Sequence, residues 1–159
     1  MRKIDQLLSE YGESHQNKTN KSIHWICVPL IFFSIVGLIA SIPSGSLRSL
    51  LGNDSPFANW AAVVLVLITV YYLSLSLSLT FGMLLFGFLC LVVANNITKV
   101  VPMPLWLVCI VIFVLAWIGQ FYGHKVEGKK PSFFKDIQFL LIGPAWLMHF
   151  IYKKIGIPY

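Results

Sequence analysis

The sequence predicts an all-α membrane protein: a compact bundle of four transmembrane helices with a C-terminal re-entrant or interfacial helical segment. Two observations lead there. Hydrophobic residues make up 57% of the 159-residue chain and charged residues only 11%, far from the balance of a soluble domain. Three runs also carry no charged side chain, from Ile23 to Ile42, from Phe57 to Ile97 and from Val100 to His124. Each outer run matches the roughly 20 residues a helix needs to cross the hydrocarbon core, and the middle one is long enough to cross twice. A single membrane domain over residues 1–159 follows.

Taken in order, residues 1–22 form a polar N-terminal region in which Ile4, Leu7, Leu8 and Tyr11 recur at helical spacing. That pattern marks an amphipathic helix lying on the bilayer surface or against the bundle. With so polar a stretch ahead of the first apolar run, the N-terminus does not read as a removable signal. The first span is expected over about 24–42, with Pro29 tolerated because neighbouring helices re-satisfy the freed carbonyl. PSGSLRSLLGNDSPF, rich in turn residues, reads as a loop.

Spans over about 58–76 and 79–96 come next. The alternation LSLSLSL from Leu73 to Leu79 is read as two helix ends around a polar connection, since an unpaired strand in hydrocarbon loses its backbone hydrogen bonds. NNITKVVPMP reads as a second loop before a span over about 104–123. The last apolar segment, 133–152, is short and carries Gly143-Pro144 near its middle. It predicts a re-entrant hairpin or interfacial helix pair broken at that dipeptide, with a fifth span as the rival.

The formal net charge is +6. Its bases cluster beside apolar runs instead of interleaving with exposed aromatics, so they read as topology signals and exclude a nucleic-acid surface. Arg2, Lys3, Lys18 and Lys21 precede the first span and Lys125, Lys129, Lys130 and Lys135 follow the fourth, whereas the opposite loops hold only Arg48 and Lys99. Both termini are therefore expected on the cytoplasmic side, of a bacterial cytoplasmic membrane or, in a eukaryote, of the endoplasmic reticulum. Cys27, Cys90 and Cys109 lie in predicted spans without CxxC spacing, which argues against a disulfide framework and a thiolate metal site. Ser74, Ser76 and Ser78 lack a nucleophile elbow and a histidine partner and read as helix-packing surface.

Chemistry concentrates in two stretches. In GESHQNKTNKSIHW, His15 and His24 are nine residues apart. On one continuous helix they would face about 180° apart, so their rings converge only if the chain turns, and Asn17-Lys18-Thr19-Asn20 has the residues for a turn. In QFYGHKVEGKKP, Gln120, His124 and Glu127 share one helical face, and Gly123 admits a close neighbour. Together His15, His24 and His124 make a three-nitrogen site, with Glu127 as a fourth ligand or as an acceptor for an imidazole N–H. Such a set suits Fe(II) or Zn(II). His149 follows the apolar half-helix FLLIGPAWLM and has a weaker claim on the metal. Three function classes remain open on the residues alone: a metal-dependent lipid enzyme, including a zinc-dependent lipid hydrolase; a transporter; and a non-enzymatic membrane assembly protein. Transport is disfavoured because the central halves of the spans carry no ionisable residue.

Read together, His15, Asn17, Asn20, His24 and Pro29, then Gln120, Gly123, His124 and Pro131, then Pro144, resemble the 2-hydroxy fatty acid dioxygenase family, small multi-pass membrane proteins of the yeast endoplasmic-reticulum type that act in phytosphingosine breakdown. The resemblance covers nearly the whole chain with its motifs in order. It implies an Fe(2+)-dependent enzyme that uses molecular oxygen to shorten a 2-hydroxy fatty acid by one carbon. His15, His24 and His124 would be the iron ligands, and Asn17, Asn20 and Gln120 would shape or hydrogen-bond the site. The chain departs from the family pattern at Lys18, where the yeast-type motif has proline, and in the acid after the histidine, which is one residue closer at Glu127. His149 matches no family histidine.

Overall fold

The computed structural model describes residues 2–51, 55–128 and 136–159. Among the described residues the chain forms α1 (Lys3–Glu13), α2 (Lys18–Ala40), α3 (Gly45–Leu51), α4 (Trp60–Leu73), α5 (Leu77–Val100), α6 (Leu105–Glu127) and α7 (Asp136–Ile155). The molecule is an all-α, multi-spanning membrane bundle. α2, α5 and α6, of 23, 24 and 23 residues, are long and apolar enough to cross a bilayer. α4 is apolar but has 14 residues, about 21 Å of helix. Instead of four regular spans, the described residues therefore contain three helices of full span length and one shorter apolar helix.

Local side chains explain where the elements start and stop. Asn17 takes the N-cap of α2, its Oδ1 accepting the N–H groups of Thr19 at 2.8 Å and Asn20 at 3.4 Å. Lys18, Thr19 and Asn20, expected to form a turn, are the first turn of α2, which begins well before the apolar run. A cap overrides composition here because it satisfies helix donors that are otherwise orphaned. Asn59 and Ser76 cap α4 and α5 in the same way. α5 takes in Asn95 to Lys99, expected in a loop, and stops where Val101 turns extended ahead of Pro102. α3 lies inside the glycine- and serine-rich stretch that also read as loop.

The expected break at Gly143-Pro144 is absent. α7 is one helix through both residues, and its neighbours account for the difference. A Cβ on Gly143 would lie 2.9 Å from Tyr11 Oη and 3.2 Å from Val28 Cγ1, so this glycine serves a close approach, not a turn. Proline inside a membrane helix is tolerated where packing covers the freed carbonyl. α7 runs antiparallel to α2: Leu140 and Leu141 share a cavity with Phe32 and Val36, Trp146 meets Tyr11, and Phe150 meets Trp25. The hydroxyl of Tyr72 donates to the Leu141 carbonyl at 2.5 Å, and that of Tyr152 to the Ser78 carbonyl at 2.8 Å, tying α7 to α4 and α5.

α1 turns Ile4, Leu7, Leu8 and Tyr11 inward against Ile142, Trp146, Leu147 and Tyr152. At 11 residues it is too short to persist alone. Burying one Leu or Ile is worth about 1.5–3 kcal/mol relative to water, so this face holds the helix in place. α2 and α6 make the most extensive helix pair. Their contact depends on Gly119 and Gly123, where a Cβ would stand 2.7 Å from Cys27 Sγ and 2.4 Å from Asn20 Oδ1. This is the small-xxx-small device of membrane helices.

Tyr72→Phe removes the bond between α4 and the Leu141 carbonyl while keeping the ring. It is expected to destabilise the protein by about 1 kcal/mol, seen as a lower unfolding midpoint in detergent with helical content unchanged.

Candidate metal centre

The turn between α1 and α2 and the last turn of α6 build the site. His15 sits in the turn, His24 on the second turn of α2 and His124 on α6. His15 and His24 are fully buried, and His124 is partly so. Their ring centroids lie 4.2 Å (His15 to His24), 5.3 Å (His15 to His124) and 5.1 Å (His24 to His124) apart. One ring nitrogen from each residue lies within 4.8 Å of the other two.

Two of the three tautomers follow from the backbone. His15 Nδ1–H donates to the Tyr11 carbonyl at 2.5 Å and His24 Nδ1–H to the Asn20 carbonyl at 2.9 Å. A carbonyl only accepts, so each Nδ1 carries the proton and each Nε2 presents a lone pair. Both Nε2 atoms, together with His124 Nδ1, are buried without any hydrogen-bond partner. Burial pushes the His15 imidazole down to about 4, only partly opposed by its bond to the Tyr11 carbonyl, so it is neutral at pH 7. Three buried ring nitrogens without a hydrogen-bond donor, clustered in one place, cost free energy that a bound cation would offset. The donor set fits Fe(II), which carries open positions in such nitrogen sites.

Glu127 does not join the rings. Its Oε1 accepts from the backbone N–H of Gln16 at 2.9 Å, and its Oε2 accepts from the Asn17 N–H at 2.9 Å and Asn20 Nδ2 at 3.0 Å. The carboxylate therefore fastens the end of α6 to the turn holding His15 and to the start of α2, where the helix dipole also favours an anion. Asn20 spans the same junction. Its Nδ2 also donates to the Ser14 carbonyl at 3.2 Å, and its Oδ1 rests against Gly123. Asn17 is occupied as the α2 cap. Gln120 is buried one turn before His124. His149 stays outside the ring cluster, donating to the Trp146 carbonyl at 2.8 Å and facing Phe150 and Tyr159. Lys129, Lys130, Pro131 and Lys135 lie outside the described residues.

Two wall residues were missed at the sequence level. Tyr11 stacks on His15 with centroids 4.2 Å apart and planes 11° apart, and Trp146 leans on both rings at 5.3 and 5.4 Å. Tyr11 was visible only as one member of an apolar stripe. Trp146 lay in a segment whose path the sequence did not define.

His15→Ala, His24→Ala and His124→Ala are each expected to abolish stoichiometric iron binding while the helical content persists, and His149→Ala is expected to retain it, as measured by metal analysis of purified protein. Glu127→Gln exchanges one acceptor oxygen for an N–H that opposes the donors it meets. Iron affinity should fall by about tenfold or more, read from competition with a chelator.

A family model described as Mpo1-like, 2-hydroxy-palmitic acid dioxygenase, matches residues 1–155. Among curated proteins, the 2-hydroxy-palmitic acid dioxygenase MPO1 of Saccharomyces cerevisiae is 29% identical over 153 residues, which is 94% of this chain and 79% of the yeast protein. No solved structure matches.

Proposed function

This chain belongs to the Mpo1-like 2-hydroxy-palmitic acid dioxygenase family, and on that premise we propose that it cleaves 2-hydroxy fatty acids with molecular oxygen, giving acids one carbon shorter. The enzyme is an iron-dependent dioxygenase, and the observation that carries this reading is the cluster of His15, His24 and His124, each offering one ring nitrogen within 4.8 Å of the others and each with a buried ring nitrogen that has no hydrogen-bond partner. Ferrous iron held there would supply a Lewis-acidic, redox-active centre for the reaction of the 2-hydroxy acid with dioxygen.

The protein's share of the work is placement and exclusion of water. His15, His24 and His124 would hold the ion. The Tyr11 and Asn20 carbonyls fix the His15 and His24 tautomers, Asn17 sets the start of the helix that carries His24, and Asn20 with Glu127 keeps the two ends of the chain in register. Tyr11 and Trp146 shield one flank of His15 from water, which strengthens every charge interaction in the site. The acyl tail continues among apolar helix faces, where each methylene removed from water contributes about 0.8 kcal/mol. Holding C1 and C2 beside the oxidant makes the reaction effectively unimolecular.

In this reading α2, α4, α5 and α6 are the four crossings, and the start of α2 and the end of α6 lie on the cytoplasmic side with both termini. That placement is supported by the basic residues flanking these ends, Lys18, Lys21 and Lys125. α7, packed from the middle of α2 back to the ring cluster, is the re-entrant element. The membrane is the bacterial cytoplasmic membrane or, in a eukaryotic cell, the endoplasmic reticulum.

Anaerobic, iron-loaded protein given a 2-hydroxy long-chain acid and then oxygen should yield the acid one carbon shorter, identified by mass spectrometry. Intact iron binding without that product would reject this substrate class. Zinc in place of iron in protein purified without chelator would favour a lipid hydrolase.

A further inference from the structure

At the end of the bundle opposite the rings, α2, α3, α5, α6 and the N-cap of α4 all contribute to the lining of a cavity of about 140 Å³. That is several times the space one water needs. The lining is mixed: the Arg48 guanidinium and the side chains of Asn59 and Asn95 share it with the apolar Leu91 and Ala94. Ala40, also in the lining, comes sixteen residues after His24 on α2, about 24 Å along a helix axis. This cavity therefore has no part in the chemistry at the rings.

Depth and donor chemistry narrow what it takes. The hydrocarbon core is about 30 Å thick, so a cavity that far from His24 lies near the opposite boundary. Trp60 and Trp106, next in sequence to the lining residues Asn59 and Leu105, are exposed, and exposed tryptophans on a membrane bundle mark the headgroup level. Asn59 is buried; its Oδ1 accepts the Ala62 N–H at 3.1 Å and its Nδ2 donates to the Pro56 carbonyl at 2.9 Å, which leaves its second N–H to face the cavity. Asn95 carries two more N–H groups, and Arg48 has five in a planar fork that matches phosphate oxygens. Among the described residues the ion pair is Arg2–Asp5, so no described carboxylate neutralises Arg48. Such a lining repels a cation and suits an oxyanion.

We infer that this cavity is a phospholipid site, in which Arg48, Asn59 and Asn95 hold the phosphate of a lipid from the leaflet farther from the metal centre. The assignment is independent of the reaction proposed above. Phosphate is common to a lipid headgroup and to the free anion, and the lipid is favoured because the cavity lies at headgroup depth with Leu91 and Ala94 in place for its ester and upper acyl carbons. Paired N–H groups of a guanidinium on a phosphate give geometric specificity as well as energy. A ligand that binds only the folded protein also raises its stability, so occupancy has a second readout.

The test titrates full-length protein in a neutral detergent with phosphatidylglycerol, with diacylglycerol of the same chains, or with inorganic phosphate. Native mass spectrometry counts bound lipid, and the unfolding midpoint reports stabilisation. Wild-type protein should take up phosphatidylglycerol in preference to diacylglycerol, with a raised midpoint. Arg48 is exposed, so its replacement leaves folding intact; Arg48→Gln should weaken phosphatidylglycerol binding about tenfold while metal content matches wild type. Lys99→Gln removes a nearby base that is not in the lining and should leave the affinity unchanged. Equal uptake of diacylglycerol, unchanged affinity in Arg48→Gln, or an equal loss in Lys99→Gln would each overturn the site. Displacement of the lipid by inorganic phosphate at matched concentration would overturn the lipid as its occupant.

Discussion

Where α2 and α6 meet at Gly123, the backbone of one helix lies against the buried amide of the other, and the separation of the rings follows from that contact. His24 is one turn beyond Asn20 on α2, and His124 follows Gly123 directly on α6. Any side chain at Gly123 would occupy the place of Asn20 Oδ1. The helices would have to part, and the two imidazoles would part with them. In a bilayer, where lipid tails are as apolar as leucine, close backbone packing is one of the few forces that can hold two helices at so defined a distance.

The second constraint is electrostatic and joins segments far apart in sequence. Glu127 accepts hydrogen bonds from Gln16, Asn17 and Asn20, so the turn with His15 is held to the helix with His124. The glycines bring the helices together, and the carboxylate sets the third ring relative to the other two. Tyr11 completes the arrangement twice over: its carbonyl orients the His15 ring, and its own ring stacks on it. α1 carries Tyr11, and α7 holds α1 in place, so the C-terminal helix supports the site without contributing a ligand to it.

Much of this was legible in the sequence, because charge-free runs and histidines at their borders are local signals. The convergence of His15, His24 and His124 was readable once the chain was required to turn, although the turn was placed too late. Asn17 looks the same as a turn residue and as a helix cap until its bonds to Thr19 and Asn20 are seen. Gly143-Pro144 reads as a break in isolation, yet a helix passes through because Tyr11 and Val28 fill the space that glycine leaves. Glu127 was expected as a metal ligand or as the acceptor of an imidazole N–H, whereas it accepts from the backbone N–H groups of Gln16 and Asn17 and from the Asn20 side-chain amide, all more than a hundred residues away, which no spacing rule announces. α3 and the extension of α5 to Val100 show the same limit, since polar composition marks where a chain can leave the bilayer but not where a helix must end.

The division of the site between residues 15–24 and residues 124–127 has a consequence for biogenesis. A ribosome delivers the first two histidines long before the third, so no competent cation pocket exists while the early helices enter the translocation machinery. Loading must come last, after the nascent chain has threaded its central hairpin and the distant ends have found each other. A polypeptide stalled midway would present only two of the three imidazoles.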